Sequence, residues 1–330
     1  VVARAVESFG PIDAVGHRIV HGGTRYTRPV RIDREVVEHL RALTDLAPLH
    51  QPKSLAALAV VEAALPDVPA VACFDTAFHA GIPAGASTYA IPREWRMRWD
   101  LRKYGFHGLS HAYASGRAAE LLGRSLDGVR LVTCHLGAGA SLAAVLDGRS
   151  VDTTMGFTPL DGLVMATRSG SIDPGLVLWL EEHVRMPPAE LASTLEHRSG
   201  LLGLAGTADM RAILASAGAG QPDAVLALDV YHHRLRGAVA AMAAALGGLD
   251  VLVFTGGVGE NAPAVRERAA RDLAFLGVSL DVARNRAAGD DREIGSPGAA
   301  VRTFVIAARE DVQIAHEVRA VLGTGPAMGT

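Results

Sequence analysis

The chain alternates short apolar runs with longer amphipathic ones. VPAVACFDT, VRLVTCHLG and ASLAAVLDG read as strands, bounded by Gly, Pro or Asp. IDAVGHRIVHGG reads as a strand running into a glycine turn. SLAALAVVEAALP reads as a helix stopped by Pro66, and LSHAYASGRAAELLG as a helix closed by Gly123. DAVLALDVYHHRLRGAVAAMAAALGG is a long alanine-rich helix ending at Gly247-Gly248. LDVLVFTGGVGENAPAVRERAARDL is strand, glycine loop and helix, the helix starting at about Ala262 with Pro263 near its first position. Strand-like and helix-like stretches in alternation predict an α/β fold. The tail GTGPAMGT is expected to be disordered.

Two glycine-rich bends stand out against this pattern. In VRLVTCHLGAGASLAAVLDG, Gly137 and Gly139 lack the third glycine of a dinucleotide fingerprint, and the residues after them suit a strand rather than a helix. The bend is therefore expected at the tip of a β-hairpin. Backbone N–H groups at such a tip can hold an anion, though an ordinary tight hairpin calls for glycine as well. The second bend, Gly256, Gly257 and Gly259, follows a buried strand and precedes a helix. A phosphate at a helix N-terminus fits that arrangement, and so does close packing of strand on helix. No P-loop pattern occurs, and the protein-kinase signatures are absent.

Polar residues mark the ends of the apolar runs: Arg18 and His21, Asp75 and His79, His107 and His111, and Arg168. Each taken singly reads as a satisfied buried polar group or a cap. Two arginines, an acid and two glycine bends together suit phosphoryl transfer, which needs positioning and cationic stabilisation more than covalent chemistry. His107 and His111 have the i, i+4 spacing of a zinc pair, but the intervening GLS lacks the acid of a zinc protease.

Composition narrows the reading. The 330 residues are 49% hydrophobic and 20% charged, long enough for two domains. A net charge of -3, with both signs interspersed, argues against nucleic acid or an anionic membrane as the main partner. No apolar run reaches the ~20 residues of a membrane span, and no secretory signal is visible. Cys73 and Cys134 sit inside apolar runs, form no metal spacing, and suggest a reducing cytoplasm.

With these residues assembled, the sequence resembles the acetokinase family, the acetate and propionate kinases. The matching blocks are GHRIVHGG, CFDTAFHAGIP, YGFHGLSH, CHLGAGAS, DTTMGFTPLDGLVMATRSGSIDPG, SGLLGLAGTADMR, FTGGVGEN and VIAAREDVQIA. They run in family order over nearly the whole chain. The resemblance implies a two-domain actin-like ATPase fold with the active site in the cleft between domains. Domain one would comprise residues 1–75 with 312–330, and residues 76–311 would form the nucleotide-binding domain. The activity implied is reversible, magnesium-dependent phosphoryl transfer from ATP to acetate, giving acetyl phosphate and ADP. The alternatives are a propionate or short-chain carboxylate kinase and a non-catalytic nucleotide-binding remnant. A cytoplasmic homodimer is also implied, with the long alanine-rich helix as a candidate packing element or, alternatively, a core helix.

The resemblance further implies roles for single residues. Arg18 would bind the carboxylate or the phosphoryl group in transit. Asp75 would orient an arginine or assist the carboxylate. His107 and Arg168 would stabilise the transition state. His135, Leu136, Gly137, Ala138 and Gly139 would form the phosphate-binding hairpin. Asp209, Met210 and Arg211, with Gly257, Val258, Gly259, Glu260 and Asn261, would contact the nucleotide. Glu310 would bind magnesium. Val20, Leu49, Phe106 and Pro159 would surround the acyl methyl group, with Val20 favouring acetate over propionate. Three departures from the family pattern stand beside these expectations. The chain starts with VVARAVESFG, where the family opens with a phosphate hairpin reading N-A-G-S-S-S-x-K, so the first domain is expected to lack that hairpin. Ala138 stands where Asn is usual. Arg309 stands where Asn is usual, which places an extra cation near the expected magnesium ligand.

Overall fold

The structure is a computed structural model and describes residues 11–44, 51–287 and 289–323. Leu49, the opening VVARAVESFG and the tail after Gly323 lie outside the described residues. Two sheets carry the α/β architecture. The first has the order β1-β3-β2, from Val15–Ile19 (β1), Val30–Arg31 (β2) and Ala70–Phe74 (β3). β1 runs parallel to β3, with Arg18 opposite Cys73, and β2 runs antiparallel to it. Successive side chains of a strand point to opposite faces. Ala72 and Phe74 accordingly join a core with Ile19 of β1 and with Leu40 and Leu58 from the helices Arg34–Ala42 (α1) and Gln51–Ala64 (α2). Val71 and Cys73 face the other way, against Leu109 and Val318.

The second sheet has six strands in the order β6-β5-β4-β7-β9-β8. Arg130–Leu136 (β4), Ala140–Leu146 (β5) and Arg149–Thr153 (β6) form an antiparallel meander. Val251–Thr255 (β7) and Arg302–Val305 (β9) add in parallel, and Arg292–Glu293 (β8) closes the edge. The turn between β5 and β6 is Asp147-Gly148, with φ of 52° and 72°, the left-handed pair that a two-residue hairpin needs. Pairing of Leu136 with Ala140 leaves Gly137, Ala138 and Gly139 as the three-residue tip of the expected hairpin.

Helices cover both faces of this sheet. Gly108–Leu122 (α3) packs on one face and ends at Gly123 with φ of 67°. The helices Met210–Gly218 (α4) and Pro222–Leu246 (α5) pack together on the other. Ala227, Leu228, Tyr231, Leu235, Val239, Met242 and Leu246 of α5 are buried in the main core. One face of the long alanine-rich helix is thus built into the core.

The second glycine bend departs from expectation. Gly256–Asn261 (α6) is already helical, and Pro263–Asp272 (α7) follows after a break. Pro263 does begin α7. The break falls at Ala262, held at φ −114° and ψ 80°, because a residue before proline is pushed out of the helical region. Glycine starts α6 because a Cβ on Gly256 would lie 2.9 Å from the Leu136 carbonyl oxygen. That close approach joins the end of β7 to the end of β4.

The last helix, Glu310–Leu322 (α8), returns to the first sheet and packs on β1 and β3. Gly16 permits this contact, since a Cβ there would lie 2.2 Å from Ile314 Cγ2. The first turn of α8 therefore sits beside the ends of β1 and β3.

Candidate active site

Arg18 stands near the end of β1, and Asp75 directly follows β3. Arg18 Nε donates to Asp75 Oδ1 at 2.9 Å and Nη2 donates to Oδ2 at 2.8 Å. Its Nη1 lies 2.7 Å from Glu310 Oε2, in the first turn of α8. Burial alone would pull the guanidinium pKa down, but Asp75 and Glu310 outweigh burial and hold it above its ordinary value. Burial raises the Glu310 pKa, helped by Asp75 and opposed by Arg18. The geometry makes Asp75, only 2% exposed, the residue that fixes the fork of Arg18.

The Asp75 backbone also places His107. The Gly108 N–H donates to the Asp75 carbonyl at 2.8 Å. A Cβ on Gly108 would lie 2.3 Å from that same oxygen, so glycine is required there. His107 precedes α3 with φ of 57° and ψ of 23°, a left-handed conformation uncommon for residues other than glycine. Its ring stacks on His135 with centroids 4.4 Å apart. His107 Nδ1 bonds to Ser141 Oγ at 2.9 Å, and His135 Nδ1 to Ser110 Oγ at 2.8 Å. Burial first, then His135, His111, Arg18 and Arg168, depress the His107 pKa well below its ordinary value. Burial first, then Arg18, brings His135 down to about 4. Both imidazoles are therefore neutral near pH 7.

Arg168 reaches the same place from the loop that follows β6. Its Nε donates to Glu196 Oε1 at 2.5 Å, and its Nη1 to the Pro159 carbonyl at 3.4 Å. Each arginine is thus held by a carboxylate of its own. The hairpin tip ties the parts together. A Cβ on Gly139 would lie 3.1 Å from His107 Cε1 and Nε2, and 3.5 Å from Arg168 Nη1. One on Gly137 would lie 3.6 Å from His135 Nε2 and 3.8 Å from the Gly257 nitrogen.

Beside the tip opens a cleft of about 370 Å³, lined by Gly137, Ala138, Met165, Asp209, Met210, Arg211, Gly257, Val258 and Asn261 among others. The structure thus brings together residues from three separate stretches expected at the nucleotide. Asp209 caps α4, accepting from the Arg211 N–H, and its carboxylate also pairs with the Arg211 guanidinium. Leu136 and Gly259 are buried beneath the hairpin rather than in the cleft lining. Glu260 turns to another task, accepting from the Ala308 N–H at 2.9 Å.

Phe106 is buried, and Val20 packs against the same core. Arg309, expected as an extra cation by Glu310, pairs with Asp311 at 3.0 Å instead, while Arg18 and Asp75 set the electrostatics of Glu310. Sequence reasoning did not single out Glu196, Ser110 or Ser141, whose contacts span 28, 25 and 34 residues. Nothing local in the sequence signals such partners.

A magnesium ion was expected at Glu310. No cluster of three or more His, Cys, Asp or Glu side chains able to hold a metal occurs among the described residues. Magnesium often takes only one or two carboxylates and completes its shell from phosphates and water. Glu310 and Asp75, two hard oxygen donors converging on Arg18, fit that pattern.

A sequence profile described as the acetokinase family matches residues 3–316. The chain belongs to the acetokinase family. An acetate kinase of Microcystis aeruginosa is 50% identical over 315 residues, covering 95% of this chain and 78% of the relative. An acetate kinase of Thermosipho africanus is 44% identical, covering 97% of this chain and 80% of the relative. Among solved structures, a Porphyromonas gingivalis acetate kinase matches with a TM-score of 0.90 and 40% identity, over 96% of this chain and 80% of that one. A Francisella tularensis propionate kinase matches equally, with a TM-score of 0.90 and 40% identity, over 96% of this chain and 81% of that one. The α/β fold is therefore that of the family, and the actin-like architecture expected from the sequence holds.

Proposed function

We propose that this acetokinase transfers a phosphoryl group reversibly between ATP and acetate, at the cradle formed by Arg18, His107, Arg168 and the Gly137–Gly139 hairpin. The observation that carries the proposal is the pair of carboxylate-locked arginines within electrostatic reach of one neutral histidine. Acetate is already ionised near pH 7, so the reaction needs no strong base. Its difficulty is that two anions must meet. At an effective dielectric of about 20, like charges about 4 Å apart repel by about 4 kcal/mol. One guanidinium at similar range offsets one such pair, and two guanidinia suit the developing charge of the phosphoryl group.

In this reading the nucleotide lies in the cleft between Ala138, Asp209–Arg211 and Gly257–Asn261. Glu310, with Asp75 beside it, would hold magnesium, which when bound neutralises phosphate charge. Arg18 grips the acetate carboxylate or the moving phosphoryl group, with its geometry fixed by Asp75. Arg168 and His107 donate to the equatorial oxygens. Val20, Phe106 and Pro159 form the acyl pocket. We assign residues 11–75 with α8 to one domain and the residues between to the other, the expected boundary at 312 moving back to Glu310, where α8 begins; closure of the cleft between them would keep water from the phosphoryl group. A homodimer in a reducing cytoplasm completes the proposal, and the buried free thiols of Cys73 and Cys134 suit that compartment.

The similarity to a propionate kinase favours propionate as a second substrate. One methylene in an apolar pocket discriminates by only about 1–3 kcal/mol. Trapping the acyl phosphate as a hydroxamate, with acetate, propionate and butyrate in turn, tests the proposal on the full-length protein. Acetate is expected to react fastest, with propionate next. No acyl phosphate from any of the three acids sinks it.

A further inference from the structure

Behind His107 runs a buried chain of hydrogen bonds that the transfer chemistry does not require of itself. Thr133 Oγ1 lies 2.7 Å from His111 Nδ1. His111 Nε2 lies 2.8 Å from Ser141 Oγ, and Ser141 Oγ lies 2.9 Å from His107 Nδ1. Thr133, His111 and Ser141 are fully buried. The strand pattern explains the alignment. Thr133 and His135 of β4 and Ser141 of β5 share the face on which α3 lies, and His111 is one turn into α3. The remaining ring nitrogen of His107, Nε2, faces Gly139 at the hairpin tip.

A neutral imidazole carries one N–H, and a hydroxyl one O–H. The chain then has two consistent polarities. In the first, Thr133 donates to His111 Nδ1, His111 Nε2–H to Ser141, and Ser141 to His107 Nδ1, leaving the His107 proton on Nε2. In the second, every bond reverses, and His107 turns a lone pair on the hairpin tip. Among the described residues the Thr133 hydroxyl has His111 as its hydrogen-bond partner. The second polarity therefore leaves a buried O–H without an acceptor. It also sets a lone pair against an incoming phosphoryl oxygen. Both effects favour the first polarity. Charging either ring would give it two N–H groups and break the scheme. Burial opposes that charge at both histidines, as do Arg18 and Arg168 near His107, and His79 and His135 near His111.

We propose that His111 and Ser141, anchored by Thr133, are positioning residues that hold His107 in its Nε2–H tautomer, so that its proton points at the phosphoryl group in transit. The chemical purpose rests on the phosphotransfer reading above, whereas the tautomer does not. Nitrogen-15 NMR of the full-length, histidine-labelled protein at pH 7 tests it, with the His107 ring assigned through the resonances lost in His107→Gln. The expected spectrum shows His107 Nδ1 unprotonated and Nε2 protonated. The Nδ1–H tautomer or an imidazolium overturns the proposal. Ser141→Ala is expected to mix the two tautomers and lower kcat roughly tenfold, a modest share of the ~10²–10⁴ available to a positioned proton donor, with KM for ATP and acetate unchanged. An unaltered tautomer or an unaltered kcat in Ser141→Ala also overturns it. The wild-type spectrum decides the matter even where the variant fails to fold. A wild-type protein that makes no acyl phosphate refutes the phosphotransfer reading while leaving the tautomer to be judged by its own spectrum.

Discussion

At the scale of residues, the proposed function rests on locked cations. An isolated arginine at the mouth of a cleft samples many rotamers, and each must be given up when the anions bind. Here Asp75 holds Arg18 by two parallel bonds and Glu196 holds Arg168. Part of the ordering cost is thereby met during folding. Gly139 has a comparable role by omission, because no side chain separates the hairpin tip from His107 and Arg168. Gly139→Ala would push a methyl to 3.1 Å from the His107 ring, so that ring or hairpin must shift by a few tenths of an ångström. We expect kcat to fall about tenfold or more, since misplacement by about 1 Å costs about 10²-fold, with the thermal midpoint nearly unchanged. Steady-state kinetics beside a melting curve checks this, and an unchanged kcat would show that Gly139 does not set the spacing. Arg18 and Asp75 stood out in the sequence because charged residues at the ends of apolar strands have little packing purpose, and the structure pairs them. Glu196 and Ser141 did not, because their importance arises only when distant segments meet.

At the scale of elements, the hairpin of β4 and β5 was legible from two apolar runs around Gly137 and Gly139. The early start of α6 at Gly256 was not. Its glycines suggest a loop by local propensity, and tertiary contact with Leu136 decides otherwise. Buried histidines in both sheet-and-helix layers store a stability switch. His79 lies under the second sheet with its pKa lowered to about 4, chiefly by burial. Burial also lowers His21 and His232 to about 4. Their unfolded values stand near 6.5. The unfolded chain thus binds more protons than the folded one between these limits, so stability rises with pH across that window. It is fully present above about pH 6.5 and drains as pH falls towards about 4, at about 1.4 kcal/mol per pH unit for each such histidine. A melting series from pH 7.5 to 4.5 should show the midpoint falling below about 6.5. A flat midpoint down to 4.5 would contradict buried neutral histidines.

At the scale of the whole molecule, the two sheets bring the candidate site residues within electrostatic reach of one another, with Arg18 acting on His107 and His135. Arg18 and Glu310 come from the first sheet and the helix α8 packed on it, while His135, the hairpin tip and Arg168 come from the second layer system. The sequence reading puts Glu310 with the middle of the chain, whereas α8 starts at Glu310 and packs on the first sheet. The return of α8 onto β1 depends on Gly16, and spacing alone does not reveal it. The proposed acyl pocket belongs to this scale too, because Val20 follows β1 while Phe106 and Pro159 lie far along the chain. Val20→Ala should enlarge the acyl pocket and shift the acetate-to-propionate ratio of kcat/KM towards propionate, by about tenfold or less, within the range of one methylene. Hydroxamate rates with both acids measure it, and an unchanged ratio would remove Val20 from the pocket.

The proposed function turns on whether the phosphoryl group passes from ATP to acetate at the proposed cradle of Arg18, His107 and Arg168. Phosphorus-31 NMR of the full-length protein with ATP, magnesium and acetate tests it most directly. We expect acetyl phosphate and ADP to rise together, one for one, and Arg18→Ala and Arg168→Ala each to slow that rise by about 10³-fold or more. ADP appearing without acetyl phosphate, or transfer undiminished in either variant, would contradict it.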